Sequence, residues 1–172
     1  MPLRQFAKGI SPAQAVAVST RSSLASLPAL LDCARRGLRL SDEVSGFVLP
    51  LGVSTFKLST PPTQVISVLF IAALYGIHLA PQQILMVALV AIALSFSAPG
   101  IPAGGLIILA PVFVSVGVPV EGIGILIALD VFPDSARSIL NVTADITVAT
   151  LISRSERQPS AIGDLPAANS TV

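Results

Sequence analysis

Asp130-Val-Phe-Pro-Asp134-Ser-Ala-Arg137-Ser138-Ile-Leu-Asn141-Val-Thr-Ala-Asp145 is a helix-length stretch that carries three carboxylates and a guanidinium between apolar runs. Wound at about 100° per residue, Asp130, Asp134, Arg137, Ser138, Asn141 and Asp145 fall within a stripe roughly 100° wide, and the rest of the surface is apolar. In a bilayer each central Asp or Arg costs about 2.5–3.5 kcal/mol, while each Leu, Ile, Val or Phe returns only about 0.3–0.6 kcal/mol. Such a helix cannot sit alone in lipid. Its polar face has to meet other protein, water or a polar ligand.

In a soluble chain, Asp134 and Arg137 would be read as an ordinary i,i+3 ion pair on a wet face. The composition argues otherwise, because 11% of the 172 residues are charged, 53% are hydrophobic and the mean hydropathy is +0.85. Those are values of a bilayer protein, in which an ionisable cluster marks a site. From Leu58 to Val120 there is no Asp, Glu, Lys or Arg, and only Tyr75 and His78 are titratable. The basic residues are spread and not interleaved with aromatics, so nucleic-acid binding is not supported. One cysteine, Cys33, makes neither a disulfide within the chain nor a thiolate metal site. No cleaved targeting segment is read in residues 1–21, which lack a compact apolar core.

Residues 1–40 read as a first hairpin. Its tip is the hydroxyl-rich run Thr20-Arg21-Ser22-Ser23-Leu24-Ala25-Ser26-Leu27-Pro28, which in other surroundings would pass for a linker. Residues 41–77 read as a transmembrane helix that starts at Ser41-Asp42-Glu43, breaks near Phe56 and restarts at Pro61, since two prolines can begin a helix but not continue one. Lys57 then lies near mid-membrane. Residues 84–118 read as a second hairpin. Its first apolar run, Ile84–Phe96, is about 20 Å long against a hydrocarbon core of about 30 Å, and its Gly/Pro/Ser tip needs a cavity to line. That tip lacks the Lys-Ser/Thr of a phosphate-binding loop. Residues 120–152 form the polar-striped final span, and 153–172 a disordered cytoplasmic tail. Arg35, Arg36, Arg39, Arg154 and Arg157 place their loops on the cytoplasmic side, giving a multi-pass protein of the cell (inner) membrane with its C-terminus inside. A hairpin followed by a span with a polar interruption occurs twice. The expected fold is therefore an all-α membrane protein with two re-entrant hairpins and two transmembrane helices, one broken, arranged as an inverted repeat with its site where tips and polar helix meet.

Four motifs in order carry a family resemblance: Thr20-Arg21-Ser22-Ser23 with Leu27-Pro28; Leu49-Pro50-Leu51-Gly52; Pro99-Gly100-Ile101-Pro102-Ala103-Gly104-Gly105-Leu106-Ile107; and Asp134 to Asp145. The chain resembles the C-terminal half of the dicarboxylate/amino acid:cation symporters, which include glutamate transporters. The resemblance implies a secondary transporter for acidic amino acids or dicarboxylates, with no covalent chemistry and no cofactor beyond Na⁺ or H⁺ as coupling ion. It implies that Arg137 clamps a substrate carboxylate, that Asp134 holds an amino group or shapes the site, and that Ser138, Asn141 and Thr60 complete the hydrogen bonds. Backbone around Ser22, Ser23, Ile101 and Gly105 would close the tips over the solute. A sodium site at Gly52, Asn141 and Asp145 is implied as well.

The chain departs from that pattern where the family reads Asn-Met-Asp-Gly-Thr, since it has Phe56-Lys57-Leu58-Ser59-Thr60. Two expected sodium ligands are absent and a tethered cation, Lys57, stands among them. Pairing of Lys57 with Asp145 is expected, with sodium coupling lost or passed to protons. The family's scaffold helices are not in this chain, so it reads as a truncated product or as one half of a split carrier whose separate partner chain supplies them, trimeric if so. The alternative reading is a non-transporting membrane remnant that serves as a solute-binding or assembly subunit. An enzyme is not expected, because no Ser/His/Asp set exists and His78 stands alone.

Overall fold

The computed structural model describes residues 2–97 and 101–156. All regular elements among them are helical, and no strand occurs there. Helix α1 (Leu3–Thr20) stops where Arg21 takes a left-handed φ of 52° and its N–H returns to the Ala17 carbonyl at 2.9 Å. The hydroxyl-rich run that follows is a hydrogen-bonded tip. Ser26 Oγ donates to the Ser22 carbonyl at 2.8 Å, and the Ala25 N–H donates to Ser22 Oγ at 3.1 Å. Short serine side chains thus serve backbone groups that helix ends leave unpaired. Helix α2 (Leu27–Asp32) continues into one π-helical turn (Cys33–Gly37), and both pack against α1. The arms meet backbone to backbone, since a Cβ on Gly37 would stand 2.9 Å from the Gly9 carbonyl oxygen.

Helix α3 (Asp42–Thr55) begins at Ser41, whose hydroxyl accepts the Val44 N–H at 3.4 Å, and Asp42 and Glu43 lie in the first turn where the helix dipole favours negative charge. Helix α4 (Thr60–Leu74) opens on Pro61 and Pro62, at positions that need no N–H donor. Residues 56–59 between them are not helical. Together Asp42–Leu74 is long and apolar enough to cross a membrane by length and composition, whereas Pro81–Ser95 and Gly104–Val116 are shorter apolar segments. Helix α5 (Pro81–Ser95) packs along α4, and the chain returns through α6 (Gly104–Ile107) and α7 (Ala110–Val116). Pro99 and Gly100 of the expected tip lie outside the described residues.

The final span is not one helix. It divides into α8 (Gly122–Leu129) and α9 (Val131–Glu156), with Asp130 at the joint. Pro133 explains the joint, because a proline nitrogen has no hydrogen to offer the Leu129 carbonyl four residues back. The Asp134 N–H still reaches the Asp130 carbonyl at 2.8 Å, so the axis resumes at once. Helix α9 runs to Glu156, and the tail expected from residue 153 lies outside the described residues from 157 onward.

Two apolar cores form. One joins α1, α2, the π turn and α3 to the C-terminal part of α9 through Ala13, Ala17, Leu30, Leu49, Val53, Val142 and Ile146. The other joins α4, α5, α6, α7 and the start of α8 through Val68, Ile71, Val87, Leu109 and Phe113. Buried polar side chains from both halves, including Ser23, Lys57, Thr60, Gln64, Asp134, Ser138 and Asn141, collect between them. Large apolar side chains such as Phe47, Ile66, Leu89 and Phe132 point outward. That is the reverse of a water-facing surface and suits lipid or apolar protein.

Candidate functional site

A small cavity of about 40 Å³ lies where the tip after α1, the break between α3 and α4, the start of α6 and the first turns of α9 converge. Ser23, Lys57, Thr60, Ile101, Gly105, Asp134, Arg137, Ser138 and Asn141 all line it. Ser22 does not. It is buried beneath the tip, where its hydroxyl and carbonyl hold the turn. Gly52 and Asp145 stand against each other deeper along α3 and α9, with a Cβ on Gly52 falling 2.8 Å from Asp145 Oδ1.

The ionic centre lies at the α8–α9 joint. Arg137 Nη2 donates to Asp130 Oδ2 at 2.6 Å and to Asp134 Oδ1 at 2.8 Å, and all three side chains are largely buried. The i,i+3 pair that composition argued against as a wet surface contact is nonetheless present, buried instead of solvated, and Asp130 adds a second carboxylate from the other side of the Pro133 joint. The other oxygen of Asp134, Oδ2, accepts the Ala103 N–H at 3.4 Å. Ala103 has φ 56°, a left-handed conformation that costs a non-glycine residue energy and is held here by its surroundings. Both tips therefore carry a left-handed non-glycine residue, Arg21 at the first and Ala103 at the second.

The polar face of α9 ties the α3–α4 break into the site. Asn141 Oδ1 accepts the Ser59 N–H at 3.0 Å, and the Gly52 carbonyl accepts the Phe56 N–H at 3.0 Å. Two of the three oxygens assigned to a sodium site thus already hold backbone donors. Lys57 is 3% exposed and its ammonium donates to the Val53 carbonyl. The expected Lys57–Asp145 contact is not formed, since no ion pair within 4.0 Å joins them. The backbone acceptor one helical turn back is nearer to hand for a lysine at the end of α3. Asp145 Oδ2 is buried without a hydrogen-bond partner among the described residues.

Sequence reading missed Gln64, which is 1% exposed, lines the cavity and donates from Nε2 to the Gly105 carbonyl at 3.0 Å. Its Oε1 is buried without a partner among the described residues. The signal was present, because Thr60, Thr63, Gln64 and Ser67 follow i, i+3, i+4, i+7 spacing, a polar stripe like the one on α9. Arg21 lines the cavity beside Ser23 and Asp130 pairs with Arg137, roles that helical spacing alone does not assign.

Ionisable side chains gathered where helices break, among otherwise apolar helices of the described residues, are an arrangement found in membrane transport proteins. The chain belongs to the Sodium:dicarboxylate symporter family, whose model matches residues 1–155. It is 34% identical over 167 residues to the excitatory amino acid transporter 1 of Ambystoma tigrinum, covering 97% of this chain and 31% of that protein. It is 36% identical over 147 residues to the excitatory amino acid transporter 4 of Rattus norvegicus, covering 86% of this chain and 26% of that protein. The neutral amino acid transporter B(0) of Mus musculus is 34% identical over 148 residues, with 86% of this chain and 27% of that protein covered. The chain thus spans less than a third of the length of these curated relatives.

Proposed function

We propose that this chain forms the solute-gripping part of a membrane carrier for acidic amino acids or dicarboxylates, with its two hairpins re-entrant from opposite faces and related as an inverted repeat. The observation that carries this reading is the charge around the cavity. Arg21, Lys57 and Arg137 line it against the single carboxylate of Asp134, and the wall is otherwise uncharged. Asp130 and Asp145 behind the wall balance these charges overall, and it is the cationic donors facing the cavity that suit a carboxylate in a poorly solvated interior. Arg137 uses Nη2 for both of its carboxylates. Nε and the two hydrogens of Nη1 then remain as separate donors for substrate oxygens, more than a lysine ammonium held by two carboxylates could offer. Thr60, Ser138 and Asn141 supply further hydrogen bonds from the wall. Ser23, Ile101 and Gly105 supply tip backbone above it, with Ser22 holding the first tip in shape.

The relatives include proteins named as transporters of excitatory and of neutral amino acids. The guanidinium in the cavity favours the acidic class here. Uptake of labelled succinate and aspartate into vesicles containing the protein, with and without a sodium gradient, tests the proposal. Saturable uptake of either compound is expected, strongly weakened by Arg137→Lys, which keeps the charge that Asp130 and Asp134 require. Binding without uptake would instead support a solute-binding subunit, and neither binding nor uptake would end the proposal.

A further inference from the structure

The family is named for sodium, yet the site where this chain would hold a cation already contains one of its own. Several features make that place a cradle for positive charge. Asp145 is 5% exposed and its Oδ2 has no hydrogen-bond partner among the described residues. Gly52 brings the α3 backbone so close that any Cβ there would press on Asp145 Oδ1. A carboxylate buried this way without a counter-charge is strongly disfavoured, so it is stabilised either by a proton or by a positive group facing it. The Lys57 ammonium is bonded to the carbonyl of Val53, the residue next to Gly52, which places it on the same turn of α3 that Asp145 abuts.

We propose that Lys57 is a built-in counter-cation for Asp145, which neutralises the carboxylate in place of an inorganic ion and keeps monovalent cations out of the cradle. A sodium ion entering there would have to sit beside an ammonium in a medium that screens like charges poorly. The oxygens it would need are also partly engaged, since the Gly52 carbonyl and Asn141 Oδ1 each accept a backbone N–H. Hard oxygen ligands are therefore present, but the cation they balance is tethered. This inference deepens the carrier reading by removing sodium from this site, and it does not depend on which solute is carried.

Thermal unfolding of the purified protein in detergent, in sodium chloride against choline chloride at equal ionic strength, tests it without any transport measurement. The unmodified protein is expected to unfold at the same temperature in both salts. Lys57→Met, which keeps the length and removes the charge, is expected to unfold at least about 3 °C higher in sodium, because a ligand that binds only the folded state stabilises it. Lys57→Met/Asp145→Asn, with neither charge, is expected to lose that difference and to unfold alike in both salts. Sodium-specific stabilisation of the unmodified protein overturns the proposal. So does a Lys57→Met protein that is equally stable, or equally unstable, in the two salts. A chain that binds no acidic solute at all can still pass or fail this test, which separates it from the carrier reading.

Discussion

Arg137 sits between two carboxylates at 2.6 and 2.8 Å, and with those partners it forms a buried ionic unit that is stable only as a whole. Replacing it with alanine leaves Asp130 and Asp134 buried and uncompensated, so unfolding measurements on Arg137→Ala should show a loss of about 3–5 kcal/mol. Adding Asp130→Asn and Asp134→Asn should recover most of it, since the exposed cost is that of unpaired charge. Gly52 offers a steric test at the same scale. Gly52→Ala forces a methyl to within 2.8 Å of Asp145 Oδ1 and should destabilise by about 1–3 kcal/mol, whereas Gly46→Ala, on the same helix with nothing within 4 Å, should be neutral or stabilising by up to about 1 kcal/mol. Individual residues of the site were legible in the sequence wherever a charge stood out against apolar surroundings, as Asp134, Arg137 and Lys57 do. Gln64 was not, because an uncharged amide in an apolar helix draws no attention until its neighbours Thr60, Thr63 and Ser67 are counted on the same face. Contact between Lys57 and Asp145 was expected from opposite charge alone. The structure satisfies the ammonium locally instead, at the Val53 carbonyl.

Among the elements, the joint between α8 and α9 governs where Asp130 stands relative to Arg137. Its sequence cause, Pro133, lies inside the stretch that decides the fold, yet helical periodicity is blind to a missing N–H and predicts one continuous helix. Pro133→Ala restores a donor to the Leu129 carbonyl and should join α8 to α9, with increased helical content by circular dichroism. The same change moves Asp130 off its present line to the guanidinium, so affinity for acidic solutes should change by about tenfold, or about 1.4 kcal/mol. Unchanged affinity together with a continuous helix would show that the joint has no part in the site. The break between α3 and α4 was easier to read, since Pro61 and Pro62 signal a helix start at Thr60. The tip after α1 was harder. Its serines look like linker residues, and only the hydrogen bonds from Ser26 to Ser22 and from Ala25 to Ser22 reveal a fixed turn.

Across the whole molecule, two apolar cores meet along a polar seam, and the outward surface is apolar. Hydropathy and the long charge-free interval from Leu58 to Val120 made the membrane class legible, and four ordered motifs made the family legible. The seam itself was not, because it brings Ser23, Lys57, Gln64, Gly105 and Arg137 together from positions far apart in the chain. The central claim is that this seam grips an anionic solute through Arg137. Calorimetric titration of the purified protein with succinate, aspartate and alanine tests it most directly, alongside Arg137→Lys, which keeps the charge that Asp130 and Asp134 require. The account predicts that the two acidic compounds bind, that alanine does not, and that Arg137→Lys weakens acid binding by about 10–100-fold, or about 1.4–2.7 kcal/mol. Equal binding of alanine and the acids, or acid binding untouched by the lysine substitution, would contradict it.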